Sequence, residues 1–256
     1  SKRSNFLIRE LNKTSNKLQN IITRLSTGKR INKASDDAAS LAIAEALKAD
    51  TVLADQGSRN LSFGTSMLQI AEGSLSQVQE IDTRLSELAA QSANGTLSDE
   101  QRQALQAEAD ELVAEKGRIL GTTEFNGVNV FQGTSLQTSD GTIDVSGVDT
   151  SKINTSSFDI STQAAAQASL DSIKQEISDV ASMLGDIGAD SSRVSIAQQS
   201  EESKRVEFSA AESRIRDADI ATEVANLVST QIQQQTQSAL LAHNNLTAKS
   251  VLDLLK

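Results

Sequence analysis

The chain has no cysteine, no proline, no tryptophan and no tyrosine, and it has a single histidine. Without cysteine there is no disulfide, no thiolate metal ligand and no cysteine nucleophile. Without proline, no residue removes a hydrogen bond from the interior of a long helix, so the composition suits uninterrupted helices. Aromatic residues make up 2% of the chain, all of them phenylalanine, and hydrophobic residues make up 38%. Packing therefore falls to alanine and the aliphatic residues, which a helical bundle or coiled coil uses better than a compact globule does. No apolar run approaches the roughly 20 residues that a membrane-crossing helix requires. The opening SKRSNFLIRE holds no secretory apolar segment. The expectation is no membrane insertion, and a protein that either stays inside the cell or leaves without a cleaved signal.

What the chain does have is acid: 34 acidic residues against 24 basic ones, a net charge of −10 over 256 residues. That length allows one or two domains with a sizeable core. The charge disfavours broad contact with nucleic acid or an anionic membrane, where positive charge supplies the attraction. The basic GKR at 28–30 carries little weight against it. Nor is Gly28-Lys29 a phosphate loop. That motif requires a glycine five residues earlier and Ser or Thr after the lysine, where Thr23 and Arg30 stand. His243, alone near the end of a polar helix, reads as a solvated or packing residue. With no cysteine and with carboxylates scattered along helices, neither a zinc site nor a histidine-based triad has support. The expectation is no enzyme, no metal and no cofactor.

Leu7, Leu11, Leu18, Ile21 and Leu25, with Thr14 filling the register, alternate steps of four and three, the spacing of a coiled-coil seam. Gly28 ends that helix, and Ser35, Asp36 and Asp37 stand where hydroxyls and carboxylates start the next. Helical spacing then runs from Ser35 to about Asn94, with Gly57, Gly64 and Gly73 as places for a bend or break. Asn94-Gly95 marks a turn, and Ser98 with Gln101 forms a capping box for a further helix. The seam of that helix, Leu105, Ala109, Leu112, Lys116 and Ile119, has one polar position. EFNGVNVF, alternating around a second Asn-Gly, opens a β-hairpin region. Residues 134–162, rich in Ser, Thr, Asp and Gly, read as weak strands and surface loops.

Helical spacing returns from Leu170 to Leu184, resumes after GDIGAD with Val194 to Ile215, and continues among many glutamines at the end. There Ile220, Val224, Leu227, Val228, Ile232, Leu240 and Leu241 supply the apolar positions. RIRDADIATE at 214–223 mirrors the basic-to-acidic turn at 28–37 and reads as a salt-bridged joint. The order is palindromic, which predicts a mainly α fold. Long antiparallel helices would form a coiled-coil or bundle rod, with a small β-hairpin region at the middle of the chain. Apolar seams longer than a short bundle can cover call for neighbouring copies.

RLSTGKRINKASDDAASLAIAEAL at 24–47 closely resembles the N-terminal signature of bacterial flagellins. LSELAAQSANGTLSDEQRQALQAEADEL and TEFNGVNVF continue the match through Phe131, and SRIRDADIATE onward is similar to the family's C-terminus. The resemblance covers nearly everything but residues 134–162, so it implies a short form without large outer domains. The N-terminal arm before Gly28 is several residues shorter than in many relatives. The resemblance implies a structural subunit that polymerises with itself into the flagellar filament used for motility, exported through the flagellar type III apparatus. Its location would be extracellular, with a periplasmic flagellum left open. Residues 1–32 with 218–256 would form the terminal coiled-coil core. Residues 33–133 with 163–217 would form a rod with its hairpin, and 134–162 a short variable surface region. A hook–filament junction protein is the nearest alternative, and a secreted adhesion module a more distant one.

The resemblance also implies partners and sites. The partners are an export chaperone, the cap, hook-associated proteins and vertebrate Toll-like receptor 5. The receptor patch would fall on Arg84, Leu88, Gln91 and Glu115. Joint and subunit contacts would involve Gly28, Lys29, Arg30, Asp36, Asp37, Arg214, Arg216, Asp217 and Asp219. Leu7, Leu11, Leu18, Ile21 and Leu25 would pack the termini with Ile220, Val224, Leu227, Ile232, Leu240 and Leu241.

Overall fold

Long helices dominate the order of elements. The computed structural model describes residues 2–254. Its helices are α1 (Lys2–Thr27), α2 (Ala38–Ser92), α3 (Asp99–Thr122), α4 (Gln163–Arg216) and α5 (Ile220–Leu254). Between α3 and α4 lie strands β1 (Glu124–Phe125), β2 (Val128–Asn129), β3 (Thr134–Gln137) and β4 (Thr142–Val145), then a 3-10 turn at Thr150–Lys152. The mainly α expectation holds, as does the capping box: Ser98 accepts from the Gln101 amide while Gln101 reaches back to the Ser98 amide.

The chain divides into two compact units, Ser1–Thr51 with Val206–Lys256, and Val52–Arg205. The division falls inside α2 and α4 rather than at the joints near residues 32 and 217, and residues 134–162 belong to the second unit.

In the terminal unit α1 packs antiparallel on α5. Ser4 meets Asn244 at 3.1 Å, Ser15 meets Gln234 at 3.0 Å, and Arg24 pairs with Glu223 at 3.3 Å. The α1 seam is the one its spacing predicts, with Thr14 and Ile21 buried and Leu7, Leu11, Leu18 and Leu25 half-buried. The α5 seam is not. Among the α5 residues whose burial is described, those turned inward are Glu223, Leu227, Thr230, Gln234, Gln237, Leu241 and Asn244. Their steps of four and three form an unbroken heptad pattern, but only two of them are apolar. Ile220, Val224, Val228, Ile232 and Leu240 are exposed. Of the expected α5 contacts, Leu227 and Leu241 lie in this seam while Ile220, Val224, Ile232 and Leu240 lie outside it, because the seam is built mostly from polar side chains.

In the second unit, the helices enclose two apolar clusters. One gathers Leu61, Leu68, Leu75, Val78, Ile119, Phe131, Val180 and Val194, and the other Leu85, Leu88, Val113, Phe158, Ile160 and Ile173. α2 runs unbroken through Gly57, Gly64 and Gly73, and α4 through GDIGAD. Two of these glycines serve close approach instead of bending. A Cβ on Gly57 would lie 2.8 Å from Glu201 Oε2 and 3.2 Å from the Ser139 amide, and one on Gly64 would overlap the Leu136 side chain. Both neighbours at Ser139 and Leu136 belong to the β3–β4 hairpin, which therefore lies directly on α2.

The expected hairpin at EFNG is present. β1 and β2 pair antiparallel, with Asn126 and Gly127 both at positive φ (53° and 78°), as a two-residue primed turn requires. The weak strands expected in the middle segment form the β3–β4 hairpin, but its surface reading does not hold, because Val145, Ile153, Phe158 and Ile160 are buried in the core. Its hydrophobic residues are sparse in sequence but each fills a place between helices, which spacing alone does not reveal.

Candidate functional site: the joint and the outward faces

The chain reverses from α1 into α2, and from α4 into α5, at one place in the terminal unit. Gly28, at φ 68°, takes a left-handed conformation that costs a side-chain-bearing residue about 1–2 kcal/mol. Its carbonyl accepts from the Ala218 amide at 2.9 Å. Lys29 forms an antiparallel bridge with Asp217, and the Arg30 amide donates to the Arg216 carbonyl at 2.6 Å. Side chains close the same crossing. The Arg30 guanidinium donates to the Ile215 carbonyl at 2.7 Å, and Arg216 donates to the Ile31 carbonyl at 3.2 Å. Arg216 also pairs with Glu45 at 2.6 Å, and Lys29 with Glu212 at 3.7 Å. Ile31 is buried at the same place.

The adjacent acids divide their work. Asp37 accepts from the Ser40 amide at 3.0 Å and caps α2, which starts at Ala38. Asp36 faces the other way and braces the loop, accepting from the amides of Asn32 and Lys33 at 3.1 and 3.0 Å. Asp219 caps α5 by accepting from the amides of Ala221 and Thr222 at 3.0 and 3.2 Å. All three carboxyls lie below the ordinary aspartate value. Backbone hydrogen bonds are the main cause at Asp36 and Asp219, and the Ser40 side chain is at Asp37. Asp217 accepts from the Ser213 hydroxyl, while Arg214 is exposed and stands outside the network. Gly28, Lys29, Arg30, Asp36, Asp37, Arg216, Asp217 and Asp219 all lie in or beside this crossing. Their bonds are satisfied within the chain, which makes the place a stapled joint. It holds two chain reversals.

Two outward faces complete the picture. On α5, Ile220, Val224, Val228 and Ile232 recur every four residues and leave a continuous apolar stripe, Ile232 being 58% exposed. In the second unit, the residues expected to meet a receptor are partly separated by packing. Arg84 is exposed and pairs with Glu108 at 2.7 Å and Glu87 at 3.0 Å; Glu115 is exposed and pairs with Arg118 at 2.5 Å; Gln91 is exposed. Leu88, in contrast, is 1% exposed and belongs to the core beside Leu85 and Val113. A spacing of four places Arg84 and Leu88 near each other on α2, but a long Arg side chain reaches water from a flank whose Leu is covered.

Other residues with a defined role escaped notice. Glu201, 2% exposed, accepts from the Ser139 hydroxyl at 2.9 Å and pins the β3–β4 turn to α4. Asp82, Lys116 and Glu176 meet in the interior. The lone polar position in the α3 seam was the one trace of that cluster. Among the described residues no helix is long and apolar enough to cross a membrane.

Comparison with known proteins agrees with this geometry. The model of the bacterial flagellin N-terminal helical region matches residues 3–136, and that of the C-terminal helical region matches residues 170–255. The chain is 37% identical over 252 residues to a flagellin of Halalkalibacterium halodurans, covering 94% of this chain and 93% of that one. It is 32% identical to the 30.7 kDa flagellar filament core protein of Treponema maltophilum, covering 98% and 97%. Among solved structures, Bacillus cereus flagellin superposes with a TM-score of 0.52 at 24% identity, over 56% of this chain and 88% of that one. A Vibrio parahaemolyticus protein assigned to the flagellar hook-associated class gives 0.63 at 14% identity, over 71% and 100%. At those identities the two structures speak for the fold alone.

Proposed function

Because the chain belongs to the bacterial flagellin family and is a structural subunit of the flagellar filament, we propose that its α1–α5 pair is completed only by neighbouring copies. One observation carries this: the inward face of α5 is mostly polar, while its apolar stripe faces outward. Ordering a helical residue costs about 1–2 kcal/mol of backbone entropy. Burying an aliphatic side chain returns about 1.5–3 kcal/mol. Within one chain Leu227 and Leu241 are the apolar members of the described part of the α5 seam, a small return for the helix between Ile220 and Asn244. Covering Ile220, Val224, Val228, Ile232 and Leu240 by adjacent subunits would add on the order of 7–15 kcal/mol. The flagellin resemblance implies that the termini order on assembly, and on that reading the cost of ordering holds back premature polymerisation.

The test uses full-length chain and short filament seeds. Val224→Asp combined with Val228→Asp alters exposed positions only, so the monomer keeps its second unit. The expected result is loss of elongation from seeds with unchanged monomer helicity outside the termini. Elongation at the unaltered rate would reject the reading.

Export before assembly, an extracellular filament, and contacts with a chaperone, a cap and hook-associated proteins follow from the same role. The receptor reading rests on the exposed Arg84, Gln91 and Glu115, without Leu88. It requires a receptor to compete with Glu108 for the Arg84 guanidinium. Arg84→Ala monomer should need a higher dose to signal through Toll-like receptor 5, and an unchanged dose response would remove Arg84 from the patch. The filament role is favoured over a hook–filament junction because both flagellin models match and a flagellin relative covers nearly the whole chain.

A further inference from the structure

Lys116 heads the fully buried side chains of the described residues by size, and it is 0% exposed. Its Nζ lies 2.8 Å from Asp82 Oδ1 on α2 and 2.6 Å from Glu176 Oε1 on α4. The Phe158 ring centroid sits 5.3 Å away. The cluster thus ties α3 to both long helices and to the segment after β4. Asp82 is itself 0% exposed and Glu176 4%. One ammonium faces two carboxylates in an apolar interior, and like charges sharing such a site cannot both ionise without a large penalty.

The two carboxylates are not equivalent. Glu176 Oε1 takes two donors, Lys116 Nζ and the Asn154 amide at 3.0 Å, which favour its charged form. Asp82 has one donor, Lys116, and its Oδ2 is buried with no hydrogen-bond partner among the described residues. Lys116, Asp82, Glu176 and the Asn154 amide are the groups that act on one another here; α2, α3, α4 and the post-β4 segment each contribute one. Burial raises the carboxyls of both Asp82 and Glu176 above their ordinary values, with Lys116 opposing it.

We propose that this cluster is a one-proton latch: a proton carried on Asp82 Oδ2 leaves Lys116 and Glu176 as a balanced pair, and its loss to solvent loosens α2 and α4 from α3. The Asp82 carboxylic acid becomes a carboxylate, the proton goes to water, and the cluster is left with one uncompensated negative charge. A group whose folded value is raised binds its proton more tightly in the folded state. The latch therefore stabilises the second unit fully below the ordinary aspartate range, and that stability is lost as pH rises towards the folded value. Across this window the unfolding constant rises by up to about tenfold per pH unit.

The first measurement is carboxyl ¹³C titration of the full-length, aspartate-labelled chain as monomer, with the Asp82 resonance assigned by its absence from the spectrum of Asp82→Asn. That resonance is expected to titrate above the ordinary aspartate range; titration at or below it would overturn the latch. The second is urea unfolding of the full chain at successive pH values, with Asp82→Asn as a mimic of the protonated acid. The expected result is a urea midpoint that falls less steeply across the window, Glu176 keeping its own share, and a higher midpoint than the unaltered chain at neutral pH. A pH slope equal to that of the unaltered chain would contradict the proposal.

Discussion

The amide of Arg30 donates to the carbonyl of Arg216 at 2.6 Å, and the Arg216 side chain returns to the Ile31 carbonyl at 3.2 Å. Two chain reversals far apart in sequence are stapled by both backbone and side chain at one point. The Arg216 side chain is 12% exposed and also meets Glu45 at 2.6 Å. Truncation would leave a sheltered carbonyl without its donor and Glu45 without its cation. Arg216→Ala should destabilise the terminal unit by about 1.5–3 kcal/mol, the usual scale for a hydrogen bond to a charged group. Hydrogen exchange at the first turns of α2 and α5 reads this directly. Protection unchanged from that of the unaltered chain would mean the backbone bonds suffice alone.

Three glycines in α2 should respond to alanine with different signs. Replacing glycine by alanine inside a helix gains about 0.5–1 kcal/mol where space allows. Nothing lies within 4 Å of a Cβ on Gly73, so Gly73→Ala should stabilise by that amount. At Gly57 the new methyl would meet the Glu201 carboxylate at 2.8 Å and the hairpin backbone at 3.2 Å. Gly57→Ala should cost about 1–3 kcal/mol as overpacking. Gly64→Ala should fall between them, because its obstacle is the end of the Leu136 side chain. Urea unfolding of the three variants tests the order.

The palindromic helix order, the α1 seam, the Ser98 cap, the Asn126-Gly127 hairpin and the joint were all legible in the sequence. Each depends on local chemistry: heptad steps, a side chain reaching three residues on, or a turn pair that tolerates positive φ. The parts that were not legible depend on what lies opposite. Gly57 and Gly64 looked like breaks because their reason is the hairpin pressed on α2. Phe158 and Ile160 sit in a polar stretch but fill the core beside Ile173. Leu88 looked available because helical spacing does not say which flank is covered. Most of the inward face of α5 was missed because it is polar, and Lys116 because a lone lysine in a seam does not name its two carboxylates.

Acid should act on the joint through Asp37 and Asp219. Both carboxyls are held below their ordinary value, mainly by Ser40 and by the Thr222 amide respectively. A depressed group contributes stability that is present above its unfolded value and lost as pH falls through the folded value. The first turns of α2 and α5 should therefore stay protected at neutral pH and loosen only below the ordinary aspartate range. Asp37→Asn should make the Ser40 amide insensitive to that descent while Thr222 still responds. Equal response at both amides in the variant would place the acid sensitivity elsewhere.

The central claim is that the outward stripe of α5 is the face that neighbouring subunits cover. The direct measurement is a cryo-EM map of filaments reassembled from the purified full-length chain. The account predicts a helical tube in which Ile220, Val224, Val228 and Ile232 are buried against adjacent copies while Glu223 and Gln234 keep their contacts with Arg24 and Ser15 of the same chain. A tube in which that stripe faces solvent, or in which α5 has exchanged its α1 partner, would contradict it.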